Sequence, residues 1–230
     1  MRLALVTVGD ELLSGDTVNT NAAWLAAELT DRGVSVERVT VVPDRASDIA
    51  QVVNEYHAEY DGVIVTGGIG PTHDDITMEA VAAAFGQDLE TSEAALQYIE
   101  ERGGYAREDL TDGTADIPAG ATFVPNPVGV APGAHIGDVY VLPGVPEEMK
   151  GMFEEIADDF AGERDHVRIV RAAEPESALL DRIEALRAEF DVTVGCYPGD
   201  HVRLKLSGTD EAVVEDAAAW LRERVDPVEE

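Results

Sequence analysis

Lysine is nearly missing from this chain: Lys150 and Lys205 are the only two in 230 residues. The other basic residues are arginine, and all 16 bases face 47 acids, for a formal net charge of −31. Phosphate backbones are held by basic clusters, so nucleic acid is not an expected partner. Cysteine occurs once, at Cys196 in an apolar run, which excludes an internal disulfide and reads as a small core residue. No apolar run reaches the ~18 residues of a membrane span. The first residues lead directly into Leu3-Ala4-Leu5-Val6-Thr7-Val8, without the charged start and cleavage site of a secretion signal. A soluble cytoplasmic protein is the expectation.

What is abundant is acid, spread along the chain rather than gathered in a tail. In about 1 M salt the Debye length is roughly 3 Å, and self-repulsion of such a surface is screened. The composition therefore reads as adaptation to a salty cytosol, that is, a halophile. Most carboxylates are then solvated surface, and position must decide which ones carry chemistry.

Hydrophobic residues make up 45% of the chain, enough for a core in one large domain or two modest ones. The pattern predicts a strand at 3–8, a polar loop from Gly9 to Thr20, and a helix over 21–31 stopped by Gly33. A valine-rich strand at 34–42 follows, then a helix capped by Ser47 with Ile49, Val52, Val53 and Tyr56 on one stripe. A strand at 63–65 leads to a helix over 78–85 ended by Gly86. This alternation predicts an α/β fold: a three-layer, open, mostly parallel sheet with helices on both faces. A helix runs from Thr91 or Ser92 to about Gly103, and 104–118 reads as a flexible excursion. The strand Val139–Leu142 precedes a helix with Pro146 in its first turn. Gly162 marks a boundary between domains 1–162 and 163–230, the second a small α+β unit of βαββα order.

The densest signal is Thr66-Gly67-Gly68-Ile69-Gly70-Pro71-Thr72-His73-Asp74-Asp75-Ile76-Thr77. Glycines between a buried strand and a helix let backbone approach phosphate, and the helix N-terminus offers free N–H groups. Gly67, Gly68 and Gly70 form either such a cradle or a tight turn. Thr72 either caps the helix or donates to phosphate, and Asp75 is either an N-cap or a functional acid. Asp74 is an acidic neighbour, and His73 an exposed loop residue or a ligand contact. Asp10-Glu11 and Asp44 also follow strand ends, and in a parallel sheet those ends share one edge. Carboxylates converging there suit a hard divalent cation or general-base chemistry. Asn19 and Asn21 read as helix caps or, with Ser14, as ligand contacts. Lys150, one turn into its helix, reads as a phosphate contact or a solvated face.

Four segments in this order resemble the molybdopterin-binding (MoaB/Mog-like) domain, most closely its version in CinA-type proteins. They are Gly9-Asp10-Glu11-Leu12-Leu13-Ser14-Gly15 with Asn19-Thr20-Asn21; the Thr66–Thr77 loop; Asn126-Pro127-x-Gly129-x-Ala131-Pro132-Gly133; and Leu142-Pro143-Gly144-Val145-Pro146. Glu176-Ser177, Tyr197-Pro198 and Ser207-Gly208-Thr209-Asp210 resemble the small KH-like domain that follows there. The nicotinamide-nucleotide amidase module common in CinA proteins, and the FAD synthase module of some eukaryotic enzymes, are not matched, so neither activity is implied.

The resemblance implies a nucleotide or pterin ligand, with Asp75, Asp44 and Glu11 catalytic. It places Asp10, Asp44, Asp74 and Asp75 as ligands of Mg²⁺, Mn²⁺ or Co²⁺. Ser14, Asn19, Asn21, Gly67, Gly68, Gly70, Thr72, Asn126, Gly129, Gly144, Pro146 and Lys150 line one cleft. The implied activity is metal-dependent hydrolysis of a nucleotide pyrophosphate such as ADP-ribose. The alternatives are molybdopterin binding and adenylylation in cofactor biosynthesis, or nucleotide binding without turnover. Relatives assemble as dimers or trimers, so a homo-oligomer is implied.

Overall fold

A computed structural model describes residues 1–72 and 74–228. The chain divides into two compact units, Met1–Gly162 and Glu163–Glu230.

In the first unit, β1 (Arg2–Val8), β2 (Ser35–Val42), β3 (Gly62–Gly67) and β8 (Val139–Pro143) run parallel. Short antiparallel strands, β6 (Thr122–Val124) and β7 (Gly133–Ile136), complete a six-stranded sheet of order β2-β1-β3-β8-β7-β6. Strands β1, β3 and β8 are apolar on both faces because helices cover both, as parallel sheets require. Alternation sorts their side chains. Leu3, Leu5, Ile64, Tyr140 and Leu142 pack with Leu25 and Leu29 of α2 (Thr20–Asp31) and Met149, Met152 and Phe153 of α6 (Pro146–Ile156). Val6, Val8, Val63, Val65, Val139 and Val141 pack on the other face with Ile49 and Val53 of α3 (Ala46–Glu59) and Met78 and Val81 of α4 (Thr77–Ala84). The buried Met149, Met152, Phe153 and Ile156 recur at i, i+3, i+4 and i+7, which fixes the buried face of α6.

Several expectations are corrected. The stretch read as a polar loop holds α1 (Asp10–Ser14), closed by Gly15 at φ +81°. Five residues are too few to show helical periodicity. Helix α3 is entered through Arg45, with no side-chain cap; Ser47 lies inside it, bonded to Asp48. Ser92 does cap α5 (Glu93–Tyr98), accepting the Ala95 N–H. Residues 104–118 are not a structureless excursion: β5 (Asp116–Pro118) pairs with β4 (Leu89–Thr91). Strands β6 and β7, three and four residues long within a Pro/Gly-rich stretch, carry too little pattern to be legible.

The second unit has β9 (His166–Ala172), α7 (Glu176–Glu189), β10 (Thr193–Tyr197), β11 (Val202–Gly208) and α8 (Glu211–Arg222). Its antiparallel sheet, of order β10-β11-β9, buries Val170, Leu204 and Leu206 against Leu179, Leu186, Val214 and Leu221 of the two helices. Cys196 packs half-buried against this core, and burial together with Glu176 raises its thiol pKa.

Candidate functional site

Strand order lines up the ends of β2, β1, β3 and β8 along the C-terminal edge of the first sheet, the edge at which open α/β folds seat ligands. Two polar residues at the ends of buried strands, Thr7 and Thr66, open into a cavity of about 90 Å³. Glu11, Thr17, Asn19, Asn21, Gly144 and Pro146 also line it. The starts of α2 and α6 both border this cavity. Two helix N-termini at one point favour an anion.

Asn19 caps α2 by accepting the Ala22 N–H at 3.1 Å, and its amide donates to Thr7 Oγ1 at 2.9 Å. The Asn21 amide donates to the Gly144 carbonyl at 2.7 Å, which fixes the orientation of its head group. Its Oδ1 is consequently a buried acceptor with no donor. Such an atom costs stability unless a ligand or water satisfies it. Glu11 is exposed in α1, and its carboxylate folds back over Gly9, where a Cβ would stand 2.5 Å from Oε1.

The same device recurs in the glycine loop. Asp75 accepts from the Thr72 hydroxyl and, at 3.3 Å, from the Thr72 N–H. A Cβ on Gly68 would collide with Asp75 Oδ1, and one on Gly70 would stand 2.8 Å from Oδ2. These two glycines make room for the loop's own carboxylate. Asp75 is not an N-cap: Ile76 occupies that position, without a side-chain bond. Thr72 likewise does not cap α4; its hydroxyl goes to Asp75. Gly67 ends β3, and its carbonyl accepts the Gly144 N–H at 2.8 Å, joining the second and fourth motifs. Asp74 is exposed in this loop. His73 lies outside the described residues.

Asp10 and Asp44 meet: Asp44 Oδ2 accepts the Asp10 N–H at 2.8 Å. Among the described residues, no three His, Cys, Asp or Glu side chains gather closely enough to cage a metal ion. The expected set of Asp10, Asp44, Asp74 and Asp75 is therefore not drawn together as such a cage. A Mg²⁺-like ion commonly takes one or two carboxylates and completes its shell with phosphate and water; the contact between Asp10 and Asp44 runs from a backbone N–H to a carboxylate, not between the two carboxylates.

Asn126 and Gly129 do not line the cavity of Gly144 and Pro146. They border a second hollow, of about 250 Å³, with Tyr98, Arg102 and Tyr105. Asn126 is buried and fully engaged: its amide donates to Ala131 O at 2.9 Å and Glu148 Oε2 at 2.7 Å, and its carbonyl accepts from Val128 and Gly129 N–H. A Cβ on Gly129 would collide with that Glu148 carboxylate. Ser14 bonds Asp16 at 2.7 Å, and Lys150 pairs with Glu147 at 3.0 Å; neither lines the cavity.

The reading from sequence missed Thr7, Thr66 and Glu148. A threonine next to the last residue of an otherwise apolar buried strand was the available signal for the first two. Glu148 had none, since its partner lies 22 residues away.

A family model described as "Probable molybdopterin binding domain" matches residues 4–162. A protein of Archaeoglobus fulgidus is 36% identical over 97% of both chains. A CinA-like protein of Citrifermentans bemidjiense is 37% identical over 98% of this chain and 58% of its own length. The crystal structure of the protein CinA from Thermoplasma acidophilum is 40% identical, with a TM-score of 0.63, covering 69% of this chain and 97% of that one.

Proposed function

Because the chain belongs to the molybdopterin-binding-domain family, in its CinA-like branch, we propose that its strand-end cavity seats the phosphate end of a nucleotide or pterin. The observation that carries this reading is the orphaned Asn21 Oδ1 beside two helix N-termini. An acceptor without a donor calls for a ligand O–H or N–H, and the helix ends call for an anion. A phosphorylated sugar or pterin supplies both.

The favoured reaction is hydrolysis of a nucleotide pyrophosphate, with ADP-ribose the leading substrate. Glu11, exposed at the cavity, is the general base that takes a proton from the attacking water. The starts of α2 and α6 hold the phosphate, and Asn21 orients it through a neighbouring hydroxyl. Asp75 positions the glycine loop through Thr72. Asp10 and Asp44 are the residues that would hold Mg²⁺, Mn²⁺ or Co²⁺, which when bound would offset phosphate charge. The description of the matching family favours one second reading, molybdopterin binding, with the pterin phosphate in the same seat. Assembly as a homo-dimer or trimer belongs to the same proposal, and light scattering reads it directly.

The test is AMP release from ADP-ribose in molar KCl with each metal in turn, beside Glu11→Gln. Turnover that falls at least a hundred-fold in the variant supports the pyrophosphatase. A folded chain that binds molybdopterin and releases no AMP under any metal overturns it in favour of the pterin reading.

A further inference from the structure

The second unit holds a group of cations that the reading from sequence did not single out. Tyr197, Arg203 and Arg171 stand directly opposite one another across β10, β11 and β9. Two positions along, Lys205 occupies the same face, between Gly195 and Ile169. Leu204 and Leu206 point the other way, into the core.

Two arginines directly opposed on neighbouring strands repel each other. Arg2, Arg45, Arg107, Lys150, Arg168, Arg182, Arg222 and Arg224 are ion-paired; among the described residues Arg32, Arg38, Arg102, Arg164 and Arg187 are not, so what marks the second unit's row is that its unpaired cations share one face. Among the described residues, Arg171, Arg203 and Lys205 form no ion pair, although the chain carries 47 acids. The arrangement is therefore one that an anion from outside would complete.

A cavity of about 340 Å³ opens at this row, lined by Arg171, Tyr197, Asp200, His201, Arg203 and the turn between β10 and β11. The Tyr197 ring lies over Gly195, where a Cβ would stand 2.9 Å from the ring, and the Arg203 guanidinium sits 5.3 Å from its centroid. The missing side chain at 195 thus makes room for the half-exposed Tyr197 ring, which the Arg203 guanidinium covers; a phosphate that draws this guanidinium toward Arg171 uncovers the ring. Asp200 adds an acceptor suited to hydroxyl groups.

We propose that this cavity binds a nucleoside monophosphate, with the phosphate between Arg171 and Arg203, the base on Tyr197 and the ribose hydroxyls toward Asp200. Bidentate guanidinium donors match phosphate geometry, and stacking accepts any base. The site is built within the second unit and does not depend on the activity assigned to the first.

The test is titration calorimetry of the full chain with AMP, inorganic phosphate and adenosine, at the lowest salt in which the chain stays folded. In an Asn21→Ala background, which removes the seat proposed in the first unit, Arg171→Gln/Arg203→Gln is expected to weaken AMP at least ten-fold, while Arg2→Gln, a cation outside both cavities, leaves the isotherm in place. Because the double variant relieves repulsion, its melting temperature without ligand is not expected to fall. Tyr197→Leu is expected to weaken AMP but not phosphate, a readout that survives if the double variant fails to fold. The proposal is overturned if AMP does not bind, if either variant binds it unchanged, or if phosphate alone binds as tightly. Displacement of AMP by a ten-nucleotide single-stranded RNA at a hundred-fold lower concentration would also overturn it, making the face a polynucleotide surface.

Discussion

Asn126 shows how a single side chain holds a motif in shape. It gathers Val128, Gly129, Ala131 and Glu148 around one buried amide. Asn126→Ala leaves two backbone N–H groups and one carboxylate without their partner, a loss of about 1–3 kcal/mol. For a domain of this size that is roughly 2–4 °C in melting temperature per kcal/mol, measured by calorimetry. At this scale the sequence was legible in identity and not in purpose. Gly68, Gly70 and Gly129 announced themselves as places where a side chain cannot stand. What they make way for is the carboxylates of Asp75 and Glu148, contacts that depend on how the loops fold over and that no spacing encodes.

Among the elements, those with a full period were readable and those without were not. Helix α3 showed its stripe within 14 residues, and β1, β3 and β8 showed apolar runs bounded by turns. Strands β4 to β7 span three or four residues each, too short for alternation to rise above the Pro and Gly around them. The tie of α7 to the end of the chain was equally hidden. Arg182 binds the Glu174 carboxylate with both terminal nitrogens and donates to the Arg224 carbonyl at 2.5 Å, while Glu174 accepts the Asp226 N–H at 3.0 Å. The guanidinium of Arg182, followed by the Asp226 N–H, holds the Glu174 pKa below the ordinary 4.5. A depressed carboxylate pKa stabilises the fold at pH above the unfolded value and loses that contribution as pH falls through the folded one. Glu174→Gln is therefore expected to cost on the order of 1–3 kcal/mol at pH 7. The gap between native and variant should close as pH falls below about 4.5. Urea melts of both chains across pH 3 to 7 check it, and a gap that stays constant would remove the ion pair from the account.

At the scale of the whole molecule, charge dominates. A net −31 on 230 residues makes the compact state repel itself, and salt relieves this as the Debye length falls from about 10 Å at 0.1 M to about 3 Å at 1 M. The melting temperature is expected to rise by several degrees between 0.1 and 2 M KCl, with most of the rise below 1 M. Differential scanning fluorimetry in KCl and in sucrose separates screening from general exclusion. Equal gains in both would assign the effect to exclusion. The division at Gly162 also belongs to this scale. Each unit buries its own apolar cluster, and among the described residues no helix is long and apolar enough to cross a membrane.

The grip of Thr72 on Asp75 bears on speed as well as on shape. A newcomer that reaches for this carboxylate finds it already hydrogen-bonded. Binding there is an exchange of one set of bonds for another, and its gain is only the difference between them. A ligand that needs Oδ2 waits for the Thr72 clasp to open, so its capture rate levels off at high concentration, whereas one that takes Oδ1 is not held back.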